Sequence, residues 1–145
     1  MPRLERVLET SLYVADLARS LSFYESVVGL RRLQADERFC ALEVPGRQVL
    51  LLFKQGGTLR PIPTPGGVVP PHDGEGRLHL AFAVPASELA AWESHLERHG
   101  VPIESRVTWG AGERSLYFRD PDGHLVELAT PGLWWRSQEQ GPPGT

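Results

Sequence analysis

Tyr117-Phe118-Arg119-Asp120-Pro121-Asp122-Gly123-His124-Leu125-Val126-Glu127-Leu128 is the stretch whose reading decides the fold. Its centre, Asp-Pro-Asp-Gly, is turn chemistry: proline presets φ, aspartate side chains bond nearby backbone, and glycine takes left-handed conformations without strain. Residues 115–118 and 125–129 are apolar-rich runs on either side, so the segment predicts two strands joined by a turn. Reading backwards, residues 103–107 predict another strand. Gly100 predicts a helix end, and Leu89, Trp92 and Leu96, at i, i+3 and i+7, predict one helical stripe, with Ser87 as its N-cap. Residues 78–84 predict a strand before that helix. The order is βαβββ.

The first half repeats it. Residues 7–14 predict a strand, Asp16 an N-cap, and Leu17, Leu21, Tyr24 and Val28 a helical stripe ending at Gly29. Residues 30–33, 39–44 and 49–53 predict three more strands, the last two joined at Pro45-Gly46. Glu9 stands five residues before Val14, and His79 five before Val84; Glu9 and His79 precede Gly29 and Gly100 by 20 and 21 residues. The chain is therefore expected to be α+β, a single domain over 1–135 made of two βαβββ modules at 7–54 and 77–131. A linker at 55–76 joins them. It carries Pro61, Pro63, Pro65, Pro70, Pro71 and six glycines, a density that excludes helix and central strand and suits a linker or a lid. The polar tail, 136–145, is expected to be disordered.

Composition narrows the function. The 145 residues are 41% hydrophobic and 23% charged, as in a soluble globular domain. The longest aliphatic-aromatic run, 49–53, falls far short of the roughly 20 residues of a membrane helix. The opening Met1-Pro2-Arg3-Leu4-Glu5-Arg6 has no apolar core of a secretory signal. One cysteine, Cys40, forbids an internal disulfide and a cysteine-based zinc site, and in a strand beside Phe39 it reads as a buried hydrophobe. Net charge is −3 with no basic block, which argues against nucleic acid and anionic membrane as partners. The expectation is a cytoplasmic protein with a small-molecule substrate.

Three residues interrupt strands that are otherwise apolar: Glu9, His79 and Glu127. Glu9 and His79 hold corresponding positions in the two first strands. A carboxylate facing a sheet interior is costly unless paired or bound to metal. Two carboxylates and an imidazole that converge would hold a divalent cation and leave positions open for water or substrate. The alternative is that each points outward to solvent. Ser11, two residues after Glu9, shares its face and is a candidate substrate contact. Ser115 and Tyr117 share a face of the penultimate strand; solvent and core packing are their alternatives. Arg119 has Asp120, Asp122 or an anionic substrate as candidate partners. His72-Asp73 ends the linker and reads as acid–base group or solvated loop. His95, His99 and His124 are expected at the surface, and Trp134-Trp135 in packing, over the site or at a dimer seam.

Taken together, residues 12–17, Phe23-Tyr24, Gly29-Leu30, 79–84 and 117–128 resemble the vicinal oxygen chelate superfamily, which includes glyoxalase I, fosfomycin-resistance thiol transferases, extradiol dioxygenases and metal-free bleomycin-resistance proteins. The resemblance covers roughly residues 7–131. It implies paired βαβββ modules whose sheets curl into a cup around one metal. It places ligands at His79, at Glu127 and, seven residues before Asp16, at Glu9, where the family commonly has His or Gln. The fourth ligand of glyoxalase I would fall on Leu51, so a three-ligand site is expected. The resemblance also turns Ser115 and Tyr117 into the site, where the phenol would donate to an oxyanion, and it implies a homodimer. The expected cofactor is one divalent ion, Mn, Fe, Mg, Zn or Ni. With it the chain would stabilise an oxyanion or enolate in a lyase, isomerase or thiol-transfer reaction, with Glu9 as ligand or proton shuttle. A metal-free protein that sequesters a small ligand is the alternative. An extradiol-type dioxygenase is a further one, weakened because residues 101–118 contain no histidine.

Overall fold

The computed structural model describes residues 1–135; the tail expected to be disordered, 136–145, lies outside the described residues. The chain divides into two compact units, Met1–Leu78 and His79–Thr145.

In the first unit, β1 (Glu9–Val14) leads into α1 (Leu17–Ser26), then β2 (Arg31–Ala35), β3 (Phe39–Val44) and β4 (Gln48–Lys54). The Asp16 side chain caps α1 by accepting from the Arg19 N–H at 3.0 Å, and Gly29, at φ +82°, lets the chain turn out of it. The sheet order is β1-β4-β3-β2. β1 runs parallel to β4, and the other neighbours are antiparallel. Alternation sends Leu12, Val14, Cys40, Leu42, Leu50 and Leu52 to one buried face. Helix α1 packs on β3 and β4 and buries Leu21 and Tyr24. Glu9, Ser11, Tyr13, Leu51 and Phe53 belong to the other face. Burial holds the Cys40 thiol above its ordinary range, so it stays protonated in the core.

The second unit repeats the plan. Here β7 (His79–Ala83) is followed by a short 3-10 turn, α2 (Leu89–Arg98), β8 (Ser105–Thr108), β9 (Arg114–Arg119), β10 (Leu125–Ala129) and a four-residue α3 (Gly132–Trp135). The order is β7-β10-β9-β8, with β7 parallel to β10. Corresponding registers match residue for residue: Glu9 lies opposite Val49, and His79 opposite Leu125. Two four-stranded mixed sheets, each with its helix, make the chain α+β, as the repeat predicts.

Several local expectations are corrected. Ser87 is no N-cap; residues Ala86–Glu88 form a 3-10 turn after Pro85, and α2 starts without a side-chain cap. The Pro/Gly-rich segment holds no helix and no central strand, as expected, but β5 (Ile62–Thr64) and β6 (Gly67–Val69) pair as a two-stranded ribbon. Pro63 is tolerated there because such a ribbon has only edge strands. His124 is buried, not exposed. It follows the turn in which Asp120 Oδ1 accepts from the N–H groups of Asp122 and His124, and its alternation with Leu125 puts it on the side of Val126 and Leu128, the buried side. Trp134 and Trp135 stand exposed on α3 rather than packed within the chain. On the Glu9 face, Leu51 is half-buried while Tyr13 and Phe53 are buried. Among the described residues, no helix is long and apolar enough to cross a membrane.

Candidate metal centre on the second sheet

Strand pairing builds the site. On β10, Glu127 lies opposite Tyr117 of β9 and Ala81 of β7; Leu125 lies opposite Arg119 and His79; Ala129 lies opposite Ser115 and Ala83. Residues opposite one another share a face, so His79, Ser115, Tyr117 and Glu127 gather on one side of the sheet. Phe118, Val126 and Leu128 take the other side and fix the sheet by their burial.

Glu127 is the hub. The residue is 6% exposed, and Oε1 accepts from Ser115 Oγ at 2.6 Å and from Tyr117 Oη at 3.0 Å. Trp109, just before β9, donates its indole N–H to Ser115 Oγ at 2.9 Å, so the serine hydroxyl must give its own proton to Glu127. These bonds leave Oε2, which lies 3.2 Å from His79 Nε2. Burial first, and then the bond and charge of Glu127, hold the Tyr117 phenol above the usual tyrosine range. Tyr117 therefore keeps its proton at neutral pH and acts as a donor.

The tautomer of His79 is dictated by its surroundings. Its Nδ1 lies 2.9 Å from the carbonyl oxygen of Leu125, which can only accept, so Nδ1 carries the proton. The Nε2 lone pair then faces a carboxylate oxygen, an arrangement that repels unless a cation, a proton or a metal ion, lies between them. Donors about 2.1 Å from a metal are separated by about 3.0 Å at a right angle and about 3.4 Å at the tetrahedral angle. The observed 3.2 Å fits between. A backbone carbonyl on the far ring nitrogen is also the usual support of a ligating histidine. Ala81, opposite Glu127, carries only a methyl group and is exposed, so the approach to the pair is open. His79 and Glu127 therefore fit a divalent ion as two of its ligands.

The other candidates belong to other strands or have other partners. Glu9 and Ser11 are on β1 of the first unit, exposed and on one face. The registers make Glu9 the counterpart of His79 and Leu51 that of Glu127, so the first sheet has no second donor opposite Glu9. No group of three His, Cys, Asp or Glu that could hold a metal forms among the described residues. Arg119 shares the Tyr117 face, but its guanidinium is bidentate on Glu104, at 2.7 and 3.0 Å, and also donates to the Gly123 carbonyl. Glu104 was not among its foreseen partners, because a pairing between β9 and the chain just before β8 cannot be read from sequence distance. His72 is hydrogen-bonded to the Tyr13 hydroxyl. Trp109 and the Leu125 carbonyl are contributors that sequence reasoning missed; the one available signal was a lone tryptophan heading the Gly110-Ala111-Gly112 turn.

Residues 6–128 match the family model of the Glyoxalase/Bleomycin resistance protein/Dioxygenase superfamily. The chain belongs to this superfamily. Metallothiol transferase FosB of Bacillus licheniformis is 32% identical over 126 residues, which are 86% of this chain and 75% of that protein. Catechol-2,3-dioxygenase of Bacillus subtilis is 30% identical over 138 residues; the chain covers 44% of it, less than half its length. Among solved structures, lactoylglutathione lyase from Agrobacterium tumefaciens superposes with a TM-score of 0.83 at 30% identity, over 92% of this chain and 98% of that one. Superfamily members similar to this chain thus include a transferase, a dioxygenase and a lyase.

Proposed function

We propose that this superfamily member is a divalent-metal-dependent enzyme acting on a small oxygen-bearing substrate, by lyase, isomerase or thiol-transfer chemistry. The observation that carries the reading is the 3.2 Å approach of His79 Nε2 to Glu127 Oε2, with the far nitrogen of His79 pinned by a carbonyl. A relative named for metallothiol transfer supports it. The bound ion would supply Lewis acidity towards a substrate oxygen. The chain's own residues do the rest. Ser115, itself oriented by Trp109, holds the Glu127 carboxylate in one rotamer. The Tyr117 phenol, protonated at neutral pH, presents a donor beside the pair, where charge on a substrate oxygen would be stabilised. Glu9 is proposed as the third donor or as the proton shuttle, from its position in the repeat. Carboxylate and imidazole donors favour Mn²⁺, Fe²⁺ or Mg²⁺, with Zn²⁺ and Ni²⁺ also accommodated.

Calorimetric titration of these ions into chelator-treated protein is expected to show about one site per chain for at least one of them; no binding by any of the five would overturn the reading. We also propose a homodimer. Light scattering should give twice the chain mass of 16.1 kDa, and a single-chain mass across a wide concentration range would contradict it.

A further inference from the structure

The first unit holds a cavity of its own, of about 240 Å³, equal to roughly eight water volumes. The sheet supplies one wall, with Leu51, Phe53 and Phe39. The Pro/Gly-rich segment supplies the facing one, with Ile62, Val69 and Pro70. That segment is fixed to the sheet. The His72 N–H donates to the Thr58 carbonyl at 3.0 Å, and the Thr58 hydroxyl donates back to the His72 carbonyl, which closes residues 58–72 into a loop. The His72 ring meets the Tyr13 hydroxyl and stands edge-on to Phe53, with centroids 4.7 Å apart. At Gly74 a Cβ would lie 2.5 Å from the Tyr13 ring, so only glycine lets the strand of chain lie this close.

Charge in this cavity is unbalanced. Arg38 and Arg60 both line it, and among the described residues neither forms a salt bridge with a carboxylate, although Asp36, outside the lining, feels the charge of Arg38. The Arg38 guanidinium instead lies 5.9 Å from the centroid of the Phe39 ring. Glu9 is the single carboxylate in the lining. Among the lining residues, two guanidinium groups stand against one carboxylate, between apolar and aromatic walls. Small-ligand sites are built in this manner, with apolar walls and a few polar groups that fix orientation. A guanidinium pairs best with a planar two-oxygen anion, and Glu9 disfavours a doubly charged phosphate.

We propose that this cavity binds a small organic monoanion: a carboxylate held by Arg38 and Arg60, carried on a flat apolar body that lies against Phe39 and Phe53. The site stands on residues of the first unit alone and goes beyond the metal reading.

The test uses the chelator-treated full chain, so that no bound ion takes the carboxylate, and titrates it with 3-phenylpropionate and with the neutral isostere 3-phenylpropanamide. One saturable site per chain is expected for the acid, with the amide weaker by about tenfold, the worth of a charge-assisted hydrogen bond. Arg38→Met and Arg60→Met should each weaken the acid by a similar factor and leave the amide unchanged, while Arg38→Lys and Arg60→Lys restore part of the loss. Absence of saturable binding of the acid, equal binding of acid and amide, or unaltered binding by the methionine variants would each overturn the proposal. The comparison of acid with amide needs no variant, and failure here leaves the metal titration untouched.

Discussion

Glu127→Gln and His79→Ala are each expected to weaken divalent-ion binding by at least about 100-fold, because loss of groups that merely orient a ligand already costs about 10- to 100-fold. The ion would bridge two neighbouring strands, β7 and β10, and removing either donor leaves a single anchored ligand on the sheet. Glu127→Gln keeps the volume and an acceptor oxygen for Ser115 and Tyr117, so the protein should remain folded and the change isolates the charge. Ser115→Ala should fall within the 10- to 100-fold range, since it releases the carboxylate without removing it. Calorimetric titration of the three variants reads these differences. Wild-type affinity in both Glu127→Gln and His79→Ala would exclude the site. Glu9→Ala separates its two proposed roles: lost binding marks a ligand, and retained binding with lost turnover marks a base.

Phe118→Ala is expected to destabilise the protein by about 3–5 kcal/mol and to lower the melting temperature by about 10 °C or more. Phe118 is fully buried, on the face opposite the site, and truncating it leaves a cavity that the sheet cannot close. Its neighbour Tyr117 points the other way, so Tyr117→Phe should do the reverse. It removes one hydrogen bond to Glu127, worth about 1 kcal/mol, and leaves the core intact. Thermal melting paired with metal titration distinguishes them: Phe118→Ala loses stability and keeps metal affinity once folded. Equal melting of Phe118→Ala and wild type would contradict the assignment of faces.

The repeat was legible because it is written in spacing. Asp16, Gly29, Gly100 and the Asp120–Gly123 turn are local signals whose physics acts over a few residues, and they set the element order of both units. Glu127 and His79 were legible as polar residues in apolar strands. What escaped reading depends on contacts between distant parts of the chain. The Leu125 carbonyl fixes the His79 tautomer through parallel pairing of β7 and β10, and Glu104 takes Arg119 across the sheet. His124 is buried because of which side of its strand it occupies, while its position after a turn glycine suggested exposure. Proline density predicted no central strand over 55–76 and was consistent with the ribbon that forms, but it gave no sign that Thr58 and His72 would close the segment over a sheet.

In the proposed site, His79 Nε2 and Glu127 hold a divalent ion on the second sheet. Nuclear magnetic resonance of the chelator-treated protein during addition of substoichiometric Mn²⁺ tests it most directly, because a paramagnetic ion broadens the signals of nuclei close to it. The His79 ring and the Tyr117 ring should broaden first, with His95 on α2 and His99 at its C-terminal end unaffected. Broadening that begins at His95 and His99 and spares His79 would contradict it.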